Sequence, residues 1–474
     1  MRDALLVARY AIMDDNSACL VQYHIIGTTG EHEMQNRLGN TTADEHAPLQ
    51  MGALRKHRGI QTPWYLAVFA LGMWIAGAVL LSAAAPALAL PHPAITPALL
   101  ASTHAIALGF ATSFIVVVLY QFLPAHYHVW LGGSREKLVV GFGYPVSVLL
   151  FVIAFAESST VLAAVGGTCA AITLGIVLAR GMSAVLPAMR RSSGAALHVL
   201  SFISLGCIVV LGPLLAIGFV VPLHLPVAEL LGMKIVLAAG GWISGMLIAV
   251  SYSTVRGLNR SSAHPRYQWE VCICAAVGIV AIEWDLALGG PHILGITAAL
   301  CCVVAALLFT ADMVRFVLHR SSHAERMTWL GQLAGCLTLA LAAGEFVIVE
   351  SGLGASPALP VTAVLLGAVP CAIIGNGNRI VPVLLLQLAP RYGHHPLAAG
   401  VARTFVMGAS LVLTCVALVF VQVGILLHDA GVIVIGSGVE TSAGIALAMG
   451  ALVQLVGVLR ARELGRGAAV GAGI

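Results

Sequence analysis

The chain has 474 residues, 59% of them hydrophobic and only 9% charged, with a mean hydropathy of +0.97 and a formal charge of +4. Soluble domains carry about 25% charged residues, so the composition excludes a soluble enzyme and marks an integral membrane protein with the lipid bilayer as its first partner. The basic residues fall in small scattered groups, which argues against a nucleic-acid partner.

Residues 1–60 differ from everything that follows. They hold seven of the 20 acidic residues and the polar patch "TTGEHEMQNRLGNTTADEH". No apolar run precedes a small-residue cleavage site, so the stretch does not read as a secretory signal. It reads as a disordered or loosely helical cytoplasmic segment. "MGALRKHRGIQTPWYLAVFALG", from Met51, reads as a basic cytoplasmic start leading into a first span, so a start at Met51 stands beside one at Met1.

Residues 61–462 then carry twelve apolar stretches, each near the ~20 residues that cross a bilayer as helix. They lie at 63–90, 98–124, 138–156, 159–179, 194–221, 226–252, 269–289, 291–314, 328–349, 358–386, 404–427 and 431–459. The seventh is the weakest, because Glu270, Glu283 and Asp285 shorten its apolar core. Single apolar runs satisfy their backbone in a bilayer only as helices, so the predicted fold is an all-α bundle, followed by a short cytoplasmic tail at 463–474.

Charge supports the count. With the N-terminus inside, 20 of the 24 Lys and Arg fall in inner loops, three in the N-terminal segment, and the last is Lys234. Such an excess of basic residues marks the cytoplasmic side. Both termini are thus expected in the cytoplasm of a bacterial-type inner membrane. The outer side carries Glu157, Glu229, Glu283, Asp285, Glu345, Glu350, Asp429 and Glu440.

A repeat runs through the chain. "LYQFLP" ends span 2, "VSYSTV" ends span 6 and "GNRIVP" ends span 10. Anchored on Pro124, Val255 and Pro382, the copies are 131 and 127 residues apart, and each has an upstream glycine: Gly109, Gly241 and Gly367. Twelve spans therefore divide into three pseudo-repeated four-helix arcs.

This arrangement, with "HAIALGFATSFIVVVLYQFLP", "GGWISGMLIAVSYSTV" and "IIGNGNRIVPVLLL" in spans 2, 6 and 10, resembles the catalytic subunit I of haem-copper oxidases. The closer likeness is to divergent subunit-I-like relatives and to the haem-copper membrane proteins of the nitric oxide response. The resemblance implies an outer-end haem ligand at His104, but the other family ligands do not carry over. Span 10 has Thr362 at the corresponding position and no histidine, span 6 has Ile235 there, and span 7 has no histidine. It therefore implies one b-type haem or none, with Met233 the only further axial donor on offer, and argues against copper and oxygen reduction. Other respiratory membrane subunits would be the protein partners.

Read from residues alone, His104 is a haem or metal ligand, a transport or proton-path residue, or an interfacial histidine hydrated at the helix mouth or bonded to a neighbouring carbonyl. Lys234, a cation about eight residues into span 6, should snorkel outward or pair with an acid from another helix, Glu345 or Glu440. Its functional alternatives are to occupy part of a vacated cofactor space or to bind an anion. His224 and Glu229 are the nearest imidazole–carboxylate pair for a divalent metal, five residues apart across Pro226; a hydrated acidic rim is the plainer reading. Asn376 and Asn378, beside Arg379, read as interhelical hydrogen-bonding residues or a glycine-interrupted transport site. His126, His128, His394 and His395 read as solvated interface residues. Nine of the ten cysteines lie in apolar segments without a C-x-x-C pair and read as small buried side chains. Three functions stay open: an oxidase-like protein linked to respiratory electron transfer, a metal-ion or small-solute transporter, and a noncatalytic oxidase assembly or sensing protein.

Overall fold

The computed structural model describes residues 9–12, 19–22, 64–88, 96–127, 133–190, 192–218, 220–221, 223–259, 261–288, 293–320, 326–353, 356–376, 399–430 and 433–471. The chain divides into two units, Met1–Gln61 and Thr62–Ile474. In the first, β1 (Arg9–Ile12) pairs antiparallel with β2 (Cys19–Gln22), Arg9 opposite Gln22 and Ile12 opposite Cys19.

The described part of the second unit is helical. Its long helices are α1 (Trp64–Leu88), α2 (97–127), α3 (134–156), α4 (Thr160–Val185), α5 (Ser193–Gly218), α6 (227–258), α7 (Gln268–Leu288), α8 (Ile293–Leu318), α9 (Arg326–Glu350), α10 (Ala358–Asn376), α11 (Ala399–Asp429) and α12 (Ile433–Gly471). Eleven are long and apolar enough to cross a membrane. The exception is α7, a helix of 21 residues interrupted by Glu270, Glu283 and Asp285, the segment whose charges made it weakest in the sequence.

Each helix packs on the next in sequence, and α12 packs on α1, so the row closes on itself. Small residues let the backbones approach, as membrane helices require where lipid offers no hydrophobic drive to association. Gly331 of α9, for example, lies against Gly375 of α10, and Gly335 against the Ala368 carbonyl. Large apolar side chains fill the interior. Trp74 of α1 stacks on Phe110 of α2 at 4.5 Å, and Phe202 of α5 lies 5.9 Å from Trp242 of α6.

Four helices widen locally into π-helix: α2 at Ala105–Thr112, α3 at Val139–Gly143, α6 at Leu237–Ser244 and α10 at Ala363–Ala368. Gly109, Gly241 and Gly367 each stand fifth in their π-segment. A Cβ at Gly109 or Gly241 would collide with the preceding helix, Met73 of α1 and Ser204 of α5, whereas one at Gly367 would collide with Leu418 of the following helix α11 and press tightly on Thr338 of α9. The absent side chain is what lets α2, α6 and α10 sit this close.

Candidate functional site

The π-segments of α2, α6 and α10 meet. Those of α2 and α6 each touch that of α10, and the buried Trp242 Nε1 of α6 donates to Thr112 Oγ1 of α2 at 3.2 Å. A π-turn displaces backbone carbonyls from the regular ladder, and π-bulges concentrate at functional sites. Here hydroxyls occupy those carbonyls. Thr112 donates to Ala107 O at 2.8 Å and Ser244 to Ala239 O at 2.7 Å, each five residues back. Tyr144 of α3 donates to Leu108 O at 2.8 Å.

His104 immediately precedes the first π-segment. Its Nδ1 lies 2.7 Å from Leu100 O; a carbonyl can only accept, so Nδ1 carries the proton and Nε2 the lone pair. The ring stacks on Phe155 of α3 at 4.7 Å and meets Phe151 edge-on at 4.8 Å. Lys234 of α6 lies near enough for its charge to act on this imidazole. The structure therefore brings together two residues that the sequence flagged separately. Lys234 makes no ion pair among the described residues. The expected pairing with Glu345 or Glu440 is corrected: Glu345 meets Gln422 of α11, and Glu440 packs against Gly424 of α11. Both acids lie against α11.

Met233 is half-buried, one residue before Lys234. His224 adopts a left-handed φ of 48° before α6 begins, which turns the chain there. His224 and Glu229 are both exposed, and no hydrogen bond joins them. Among the described residues no group of three or more His, Cys, Asp or Glu is placed to hold a metal ion. Thr362, immediately before the π-segment of α10, donates to Leu359 O at 2.9 Å and accepts from Gln422 Nε2 at 3.3 Å.

At the opposite end Asn376 joins a chain of amides. Asn259 Nδ2, after α6, donates to Gln332 Oε1 of α9 at 2.7 Å, and Gln332 Nε2 donates to Asn376 Oδ1 of α10 at 2.8 Å. Asn259 and Gln332 are buried. Asn378, with Arg379, His128, His394 and His395, lies outside the described residues.

Sequence reasoning missed three polar residues. Asp312 of α8, fully buried, accepts from Arg266 N at 2.9 Å, Tyr267 N at 2.9 Å, Tyr252 Oη at 3.1 Å and Arg315 Nη1 at 3.4 Å. It caps the start of α7 from another helix. His198 of α5 is equally buried, its Nδ1 2.7 Å from Gly194 O and its ring stacked on Phe122 of α2 at 5.3 Å. Gln422 is the third. An ionisable or amide residue inside an apolar run is the signal for all of them.

Comparison with models of known protein families and with curated proteins finds no match for this chain.

Proposed function

We propose that this protein is a twelve-span inner-membrane protein on the haem-copper oxidase subunit I plan that has lost the oxygen-reducing centre and works beside respiratory electron transfer. The observation that carries this reading is the trio of π-segments. They start 132 and 126 residues apart (237 − 105 and 363 − 237), each with its glycine fifth; Gly109 and Gly241 pack closest on the helix before them, Gly367 on Leu418 of the helix after it. That correspondence supports three arcs, α1–α4, α5–α8 and α9–α12, with the second helix of each at the centre. An odd number of crossings would put neighbouring arcs in opposite orientations, so the reading counts α7 as a span despite its acids.

The donor set decides what such a centre can hold. Aligned on the π-segments, His104 corresponds to Val236 and Thr362. Neither supplies a second imidazole, and the Thr362 hydroxyl is already engaged by Leu359 and Gln422. The residues do not fit a haem–copper pair. His104, through Nε2, is the residue that would hold a single b-type haem, which would supply one-electron chemistry; the Leu100 carbonyl holds the Nδ1 proton and leaves Nε2 free for that role. A visible spectrum of purified protein tests this. A Soret band that disappears in His104→Ala, while the protein still inserts, is the expected result for a haem-bearing preparation. Two haems with copper, or a haem indifferent to His104→Ala, would refute the assignment.

A transporter on the same scaffold is the second reading, favoured by the hydrogen-bonded amides Asn259, Gln332 and Asn376, the first two buried, which link the end of α6 to α9 and α10. Orientation is tested separately from either chemistry. Cysteines placed at Ser192 and Ser262 should label from the cytoplasm, and outside labelling at position 262 would break the twelve-span topology.

A further inference from the structure

Three contacts set the register of α10 against α11. Thr362 meets Gln422 at 3.3 Å. One turn on, Gly367 sits against the Leu418 side chain; a Cβ there would lie 2.7 Å from Leu418 Cδ2. One turn further in the same register, Cys371 falls opposite Cys415, close enough for the two thiols to act on each other. As the α10 number rises the α11 number falls, so the rungs form one antiparallel ladder and the sulfur pair has a fixed register. The glycine draws the helices together just beside it. A disulfide needs Cα atoms roughly 4.4–6.8 Å apart, which only closely approaching helices provide.

The two thiols differ in access. Cys371 is 0% exposed, whereas Cys415 is partly exposed beside the outward-facing Val412 and Val416. Both are free, and both lie within apolar helices. An oxidant that reaches Cys415 must dissolve in hydrocarbon and accept two electrons with two protons. A membrane quinone has that chemistry.

We propose that Cys371 and Cys415 form a redox-active dithiol between α10 and α11 that membrane quinone oxidises to a disulfide. Two S–H bonds break and one S–S bond forms. The two electrons and two protons pass to the quinone oxygens, giving one hydroquinone per disulfide. This step uses neither His104 nor any metal, so it stands apart from the function proposed above.

The test uses the full chain, reduced and reconstituted in lipid nanodiscs with a short-chain benzoquinone. Two of the ten thiols should disappear for each quinone consumed, and peptide mass spectrometry should find Cys371 linked to Cys415. Cys371→Ala and Cys415→Ala should each retain their remaining thiols under the same treatment. Wild-type protein carries the decisive measurement, so a poorly folding variant does not obscure it. Unchanged thiol content, a link between other cysteines, or a pair that water-soluble peroxide closes while quinone does not, would each overturn the proposal.

Discussion

The two ends of the bundle treat buried acids in opposite ways. At the end where α7 begins, Asp312 is wholly buried and both its oxygens are occupied, three of the donors being backbone N–H or tyrosine hydroxyl groups. At the His104 end, Glu283, Asp285, Glu345 and Glu440 each keep a buried oxygen with no hydrogen-bond partner. A buried carboxylate surrounded by donors fastens helices together. One that lacks donors costs stability and persists where it serves something other than packing. The Asp312 end is thus a clamp, whereas the acids of the His104 end have fewer protein donors to fasten them.

The largest effect should come from the clamp. Asp312→Ala strands the Arg266 and Tyr267 amides and the Tyr252 hydroxyl, and removes the cap from α7. Breaking a buried charged network costs about 3–5 kcal/mol. Thermal unfolding in detergent should show a correspondingly large fall in midpoint. A midpoint within error of wild type would mean that the network does not hold α7 in place.

Next comes the π-core. Gly241→Leu forces a side chain into the space of Ser204, and overpacking costs about 1–3 kcal/mol. The same change at Gly240, whose Cβ would meet nothing within 4 Å, should be tolerated. Equal losses at the two glycines would show that helix propensity, rather than close approach to α5, sets the requirement.

These two tests mark where the sequence was legible. Apolar runs show the helices because lipid enforces them, and the sequence singled out Gly109, Gly241 and Gly367, which each lie in a π-segment. Asp312 stood out only as an acid inside an apolar run; its partners are backbone amides 45 and 46 residues earlier and leave no trace in side-chain pattern. The sequence singled out Lys234 and offered it an acid, yet the group its charge reaches is His104. Spacing along one helix says nothing about which residue of another helix faces it. Asn376 was readable as an interhelical group, but its partner Gln332 had given no signal of its own.

A smaller effect is expected from that amide chain. Gln332→Leu removes both bonds at once and leaves the Asn259 amide without its acceptor. Interhelical hydrogen bonds in membranes average about 0.6 kcal/mol each, so the loss should be near 1 kcal/mol, well below that of Asp312→Ala. A loss as large as the clamp's would make the amides part of it.

The smallest effect is also the sharpest test of the contrast. Glu440 is 3% exposed, and its Oε2 finds no partner. Its side chain lies along Gly424 of α11, with the negative charge of Asp429 also acting on it. Glu440→Met keeps the length and unbranched shape of the side chain while removing a carboxylate that the fold does not satisfy. Replacing a poorly paired buried charge with an apolar side chain of similar volume is often neutral or stabilising. The unfolding midpoint should therefore stay level or rise, although Glu440 is buried almost as deeply as Asp312. A fall comparable to that of Asp312→Ala would mean that Glu440 is fastened as firmly as Asp312, and the two ends of the bundle would no longer differ in kind.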